Sequence, residues 1–398
     1  MHWETLSCPN RHCACDGLPF GQGVLVQDGS SQGHTQALCQ AWGQRMALTD
    51  ATADCGLDTA PQLCALAVRV LAEGHALHAT ARMVQRDKET VCAWWHRAAR
   101  QCRLVMGWPG KNRHGTACPG DALWRGVHTT EPPLRTAPLL CESEGAAWGW
   151  VAWAPAWRLG VALVVGTRTP EHAHRLRKRV VAVTETPRPC FTSDQLPASE
   201  EALLAASGPG AQPGRQGTRG RPPMPRWIPL PNLVEAQVVK RRDKGRVVEV
   251  THTISLGEAP QIEARRAASA PSTTLHPSVV ERDPLTWHDH HRRLRRTTLA
   301  FSQALPWWEQ HVWVSWAYEH VCWPHQRLRQ RLPAPEPTRG SGTPRRWQPV
   351  TPAMAAGITA RVWTTAELLG YRIPATCLDT LDEREPLFPD PDAVYHVH

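Results

Sequence analysis

The sequence predicts an α/β protein of more than one domain, and three features of its 398 residues indicate this fold class. A segment rich in cysteine and glycine comes first and has no helical periodicity. Short amphipathic helices follow it. After residue 139, three successive strand patterns precede a further helix. The length allows two or three domains, each with a core of its own.

The charge of the chain favours an anionic partner. The formal net charge is +9 with a pI near 9.1, and most of the cations are arginines, which form paired hydrogen bonds with phosphate and guanine. The N-terminus has no basic-then-apolar signal pattern and the chain has no 18-residue apolar run. We therefore expect a cytoplasmic protein with no membrane partner. The thirteen cysteines are then expected to be reduced thiols, to be tested as metal ligands.

Residues 1–56 are predicted to form a zinc-ribbon-like lobe. Cys8 and Cys13 form a close thiol pair, and Cys39 follows a Gly/Ser/Gln-rich stretch with a strand pattern. A ribbon needs a second pair, but Trp42 stands where its last cysteine is expected. Three further residues compete as the fourth ligand: Cys15, His12 and His34. The alternative is a set of ordinary buried or free thiols.

Residues 57–104 are predicted to form a helix-turn-helix DNA-binding domain. Pro61 suits the first position of a helix, Gly74 ends that helix, and Asp87 precedes the third. The third helix would enter the major groove, and the cations around it would lie near phosphates. The predicted DNA-binding residues here are Arg82, Arg86, Lys88, Thr90 and Arg97. The alternative is an ordinary helical bundle.

Residues 105–136 are Gly/Pro/Arg-rich and are interpreted as a linker. Residues 137–332 are predicted to form one α/β domain. Three strands begin near residue 139, a helix covers 170–183, and a strand ends at Asp194 before a helix over 198–206. This order is typical of a ribonuclease-H-like domain, in which carboxylates stand at the ends of strands. The alternative for Asp194 is an N-cap of the following helix.

The rest of this domain alternates cationic and ordered segments. Residues 208–231 form a Pro/Gly/Arg-rich insertion, and residues 233–256 are predicted to form a hairpin. Glu281 precedes a basic run that contains Arg292, Arg293, Arg295 and Arg296. A tryptophan-rich helix near residues 307–323 is expected to pack under the sheet, and residues 333–398 form a C-terminal extension. The alternative for Glu281 is an ion-paired acid on an exposed basic helix.

The order of these segments resembles the insertion-sequence transposases of the IS-one type, which join a zinc ribbon, a helix-turn-helix and a DDE catalytic domain. The similarity covers almost the whole chain. The motifs that carry it are CPNRHC, VLAEGHALHATARMVQRDKETVCAWWHRA, VVGTRT, FTSDQLPASEEALL, AQVVKRRDKGRVVEV, VVERDPLT, RRLRRTTLAFS and TPAMAAGITARVW.

The resemblance implies DNA transposition by two-metal phosphoryl transfer. It makes Asp194 the second metal-binding Asp and Glu281 the catalytic Glu, which together with a first Asp would hold two Mg²⁺ or Mn²⁺ ions. The DNA partners would be the terminal inverted repeats and the target, and the basic run after Glu281 would hold substrate phosphates. Whether the chain forms a homo-oligomer stays open.

The sequence departs from the family pattern at three places. Ser143 stands where the first Asp is expected, and the flanking Glu142 and Glu144 face the opposite side of a strand. Trp42 replaces the last zinc-binding cysteine. Pro284 interrupts the helix after Glu281, at a cost of about 3 kcal/mol in a helix interior. We therefore expect a degenerate copy with weak or lost catalysis, Glu144 being the nearest substitute for the missing Asp. The alternative function is non-catalytic DNA binding by the N-terminal region.

Overall fold

The computed structural model describes residues 8–10, 12–16, 18, 25–31, 34–107, 122–130, 146–154, 157–166, 170–183, 191–194, 203–204, 210–211, 226–228, 233–243, 246–268, 305–338, 340 and 342–375. The chain divides into two compact units. Unit 1 comprises Met1–Gly110 and Ser302–His398, and unit 2 comprises Lys111–Phe301.

Unit 1 begins with a small antiparallel sheet in the order β1-β2-β3. The strands are β1 (Leu25–Ser31), β2 (His34–Cys39) and β3 (Gln44–Ala47). Its core is small and contains sulfur atoms as well as aliphatic groups: Cys8, Cys15, Leu25, Ala37, Cys39, Met46 and Leu48. So small a core supplies little hydrophobic free energy, which is the usual reason for a cross-link or a metal in such lobes.

Three helices follow as the sequence predicts: α1 (Pro61–Ala72), α2 (Leu77–Val84) and α3 (Lys88–Gly107). Pro61 lies in the first turn of α1, where its missing N–H costs nothing. Gly74 has a φ of 89°, which ends α1. The helices bury a shared face that includes Val68, Val91 and Trp94.

The C-terminal part of the chain completes unit 1. It contains α6 (Leu305–Ala317), a π-helical turn at Tyr318–Cys322, the strands β12 (Gln330–Glu336) and β13 (Arg345–Gln348), and the short helices α7 (Pro352–Ala355) and α8 (Thr365–Leu369). Leu368 and Leu369 belong to the same buried cluster as α1–α3. Arg372 is almost fully buried and donates to the Ala47, Leu48 and Asp50 carbonyls.

Unit 2 contains a six-stranded sheet in the order β11-β10-β7-β4-β5-β6. Its strands are β4 (Ala122–Thr130), β5 (Ala146–Ala154), β6 (Leu159–Gly166), β7 (Phe191–Asp194), β10 (Glu235–Asp243) and β11 (Arg246–Leu256). β7 is parallel to both β4 and β10, and the other pairings in the sheet are antiparallel. Helix α4 (Pro170–Val183) lies over β5 and β6 and buries Ala173, Leu176 and Val180. A second helix, α5 (Ala259–Ala268), follows β11, and the two-residue strands β8 (Gly210–Ala211) and β9 (Arg226–Trp227) pair within the insertion.

Two features differ from the sequence-based expectation. Strand β4 lies inside the stretch 105–136 that was interpreted as a linker, because the surrounding glycines, prolines and arginines mask the apolar Leu123 and Val127. Helix α6 packs against α3 in unit 1, whereas it was expected under the sheet. Its polar residues Glu309, Gln310, His311 and Ser315 do not leave one distinct apolar face, so its sequence does not indicate which neighbour it contacts. In the described part of the sheet, the first of the three antiparallel strands β4, β5 and β6 therefore begins at residue 122.

Candidate nucleic-acid interface and cysteine cluster

Helices α2 and α3 are joined by the three residues 85–87, and the turn has a defined geometry. Gln85 adopts a left-handed conformation with φ 52°, and the Arg86 N–H donates to the Ala81 carbonyl at 3.1 Å. This is the hydrogen bond with which a left-handed residue closes a helix C-terminus. Val84 and Val91 are buried on either side of the turn, so the two helices are held at a fixed angle.

Around this turn, most of the predicted DNA-binding side chains are exposed. Arg82, Arg86 and Lys88 are exposed and Thr90 is half-buried at the start of α3. The Lys88 ammonium lies 3.5 Å from the Glu89 carboxylate, and both of these side chains are largely exposed. A surface pair of this kind contributes little free energy, so Lys88 can exchange Glu89 for a phosphate at small cost.

Arg97 differs from the other predicted contacts because it has a structural partner. Its guanidinium donates to the Cys55 carbonyl and lies near the buried carboxyl group of Asp54. Burial raises the pKa of Asp54 to about 6, and the charge of Arg97 partly opposes this shift. Arg97 therefore holds the segment before α1 against α3, which limits its availability to a phosphate.

The cysteine cluster contains the three residues that the sequence pattern proposes. The thiols of Cys8, Cys13 and Cys39 all lie within 4.8 Å of one another, and the Cys13 and Cys39 sulfur atoms are 3.6 Å apart. Cys8 and Cys39 are fully buried. The Cys15 N–H donates to the Cys13 sulfur at 3.4 Å, the type of bond that orients a thiolate ligand.

The protonation state of the cysteine cluster depends on whether a cation is bound. Burial raises the pKa of Cys8 to about 12, and the neighbouring thiols of Cys39 and Cys13 add to the shift, whereas a hydrogen bond from the Asn10 backbone opposes it. Without a cation the Cys8 thiol therefore stays protonated at neutral pH. A divalent cation reverses this preference because thiolates are its ligands.

Trp42, which stands where the sequence pattern expects the fourth ligand, lies in the turn at residues 39–43. The Gly43 N–H donates to the Cys39 carbonyl at 2.6 Å, and Gly43 has a φ of 74°. Trp42 stands three residues after Cys39 and is 42 % exposed. Of the other proposed fourth ligands, Cys15 and His12 lie outside the group of three among the described residues, and the side chain of His34 is outside the described part.

In unit 2 the structure places one of the predicted catalytic residues on the sheet. Asp194 is the last residue of β7, although its side chain lies outside the described part of the chain. Phe191 and Thr192 pair with Ala122 and Leu123 of β4 on one side of β7, and Asp194 itself pairs with Val238 of β10 on the other side. The residues of β4 are ALWRGVHTT, which contain no carboxylate.

The other predicted site residues lie outside the described residues. They are Glu142, Ser143, Glu144, Glu281, Arg292, Arg293, Arg295 and Arg296. The sequence analysis did not identify β4 as the neighbour of β7. The signal that was available is the apolar pair Leu123 and Val127, four residues apart, with β-branched Thr129 and Thr130 after them.

No protein-family model matches the sequence, and no curated protein matches it significantly. Among the described residues, no helix has the length and apolar character needed to cross a membrane.

Proposed function

We propose that this chain is a DNA-binding protein of the transposase type, which recognises DNA through α2 and α3. The observation that carries the proposal is the fixed turn at residues 85–87 between two packed helices, at and beside which Arg82, Arg86 and Lys88 are exposed. A recognition helix needs this arrangement: buried residues fix its angle, and its first turn stays free to reach base edges.

The cysteine cluster supports the same proposal. Three thiolates suit zinc, and a structural zinc would substitute for the missing core of the β1–β3 lobe. Cys8, Cys13 and Cys39 would hold the ion, and an exchangeable ligand would take the fourth place. The described residues hold only three of the four ligands that structural zinc sites use.

The transposase assignment rests on the sequence resemblance and on the succession of elements in unit 2. Three antiparallel strands, a helix and a strand ending in Asp194 follow one another in unit 2, and the first of them is β4. The strand predicted near residue 139 lies outside the described residues up to position 145. In the reaction that the resemblance implies, Asp194 and Glu281 would hold divalent cations, which would supply Lewis-acid activation of a water or 3′-hydroxyl and stabilise the leaving 3′-oxygen of the phosphodiester. A cytoplasmic location is part of the proposal.

Loss of catalysis is the second part of the proposal, and β4 supports it. The family resemblance places the first Asp on the first strand of the sheet, and β4, the first strand that the structure describes in unit 2, has no carboxylate between Ala122 and Thr130. The acids nearest to β4 in the sequence are Asp121 and Glu131, one on each side of it. We therefore expect no cleavage of duplex DNA by the full chain with Mg²⁺ or Mn²⁺. Cleavage that Glu281→Gln abolishes would contradict this expectation, and a comparison of Asp121→Asn, Glu131→Gln and Glu144→Gln would then identify the third carboxylate.

DNA binding is tested separately, with the full chain and a pool of random duplexes. A fragment ending at residue 103 is unsuitable, because α6 and α8 contribute to the core around α1–α3. We expect Arg82→Gln with Arg86→Gln to lower the slope of log affinity against log salt by about 2, since each lost phosphate contact removes about 0.9. The matched control is Arg45→Gln with Arg69→Gln, which removes the same charge from exposed positions of β3 and α1.

A further inference from the structure

Strands β12 and β13 form an exposed hairpin, here called the arginine ribbon, which comprises residues 329–348. The ribbon is fixed at its base. The His325 N–H donates to the Val350 carbonyl at 2.9 Å, Val350 is buried, and Thr351 caps the helix that follows. Before the ribbon, Tyr318 and Val321 of the π-helical turn belong to the helical core of unit 1.

Both strands of the ribbon face solvent beyond this base. Every described residue from Arg329 to Gln348 is exposed except Leu332, which is half-buried. An exposed two-stranded hairpin of this length gains little hydrophobic free energy by folding alone. The residue composition of the ribbon therefore indicates which kind of partner it binds.

The charged residues of the ribbon are mostly cations. Its arginines include Arg329, Arg331, Arg345 and Arg346, and its one acid in sequence is Glu336. Glu336 pairs with Arg345 at 2.5 Å, and both side chains of this pair are half exposed. The net positive charge of the ribbon is complementary to a polyanion.

On one face of the ribbon, arginine side chains surround the ring of Trp347. Arg331 and Trp347 are direct cross-strand partners, and strand alternation puts Arg345 on the same face as Trp347. The Arg329 guanidinium lies 4.5 Å from the centroid of the Trp347 ring. The Trp347 ring thus makes a cation–π contact with Arg329. Because Arg329 covers this face of the ring, the face cannot stack on an unpaired base. Contact with the phosphate backbone of a duplex is therefore favoured over binding of a single strand.

We propose that the arginine ribbon contacts the phosphates of duplex DNA as a second binding element, in addition to α2 and α3. The inference rests on the proposed function because both elements belong to unit 1 and would engage the same ligand. The ribbon adds affinity without sequence preference, since phosphate contacts position a protein and base contacts give specificity.

The test measures fluorescence anisotropy of a mixed-sequence duplex of about 20 base pairs with the full chain, between about 50 and 200 mM salt. The ribbon variant is Arg329→Gln with Arg331→Gln, because both arginines lie on the face of Trp347. We expect it to lower the salt slope by about 2 and to weaken binding at least tenfold at about 0.1 M salt. Arg329→Lys with Arg331→Lys keeps the charge and is expected to keep the slope. The control is again Arg45→Gln with Arg69→Gln, and circular dichroism verifies that each variant folds.

The outcomes separate this inference from the proposed function. A wild-type slope in the ribbon variant, with a reduced slope in Arg82→Gln/Arg86→Gln, overturns the ribbon alone. Unchanged slopes in both variants overturn the two binding elements together. Binding of a single strand in place of the duplex, or no binding by the wild-type chain, also overturns both. Equal losses in the ribbon variant and in the Arg45/Arg69 control overturn the ribbon, because the effect would then be one of net charge.

Discussion

Asp54 links the stability of unit 1 to pH. It is 2 % exposed and burial raises its pKa to about 6 from 3.8. The folded chain then binds this proton more tightly than the unfolded chain, so the contribution is present below about pH 4 and is lost as pH rises through about 6. We expect Asp54→Asn to remove this decrease of stability with rising pH. At neutral pH the variant should have a free energy of unfolding that is higher by about 2 kcal/mol.

Urea unfolding of wild type and variant across this pH range measures the effect. Burial lowers the pKa of His320 to about 4. The effect of His320 on stability is therefore opposite to that of Asp54, because the free energy of unfolding decreases as pH falls below about 6.5. The difference between the two curves cancels the contribution of His320. A difference that does not change with pH would contradict the assignment to Asp54.

Trp42 is the residue at which the cysteine cluster lacks a ligand. Because Cys39 and Gly43 keep the turn that would present a fourth thiolate, we expect Trp42→Cys to complete a tetrahedral site and to raise zinc affinity at least about tenfold. Competition against a chelating dye measures the affinity.

Ala41→Cys is the matched control for this substitution, because it adds a thiol at an exposed position one residue earlier in the same turn. Equal zinc affinity in the two variants, or no change in either, would contradict the proposed geometry.

Helix α4 and strand β10 are joined by a buried ion pair. The Arg177 guanidinium lies 2.7 Å from the Glu235 carboxylate, and their side chains are 2 % and 0 % exposed. Removing one partner leaves the other charged in a dry environment, so we expect Glu235→Ala to cost about 3–5 kcal/mol. Hydrogen exchange in α4 and β10 measures the loss locally. Arg177→Met with Glu235→Leu is expected to recover most of the protection, and a double variant as weak as Glu235→Ala would contradict the pairing.

Helices α1, α2 and α3 were predictable because their apolar residues follow a helical period and Pro61 and Gly74 mark their limits. Helix α6 and strand β4 were less accessible to sequence reasoning. A helix without one distinct apolar face does not identify its neighbour, and the glycine- and proline-rich flanks of β4 conceal a strand of nine residues. The Cys8, Cys13 and Cys39 cluster was predictable from spacing, whereas the absence of Cys15 from it depends on tertiary geometry.

Unit 1 as a whole is assembled from both ends of the chain, which the sequence did not indicate. The Gln101 side chain donates to the Tyr371 carbonyl at 2.5 Å, the Ala375 N–H donates to Asp16, and Arg372 binds carbonyls that follow β3. The C-terminal segment thus stabilises both the cysteine lobe and the helices that are proposed to bind DNA. Contacts between residues more than 250 positions apart leave no local pattern in a sequence.

The most direct test of DNA recognition by α2 and α3 is selection of sites from a random duplex pool by the full chain. The account predicts that the wild-type chain enriches one related set of sequences. It also predicts that Lys88→Ala with Thr90→Ala abolishes this enrichment but keeps salt-dependent binding, because the first turn of α3 reaches base edges. Enrichment of the same sequences by this variant would contradict the account.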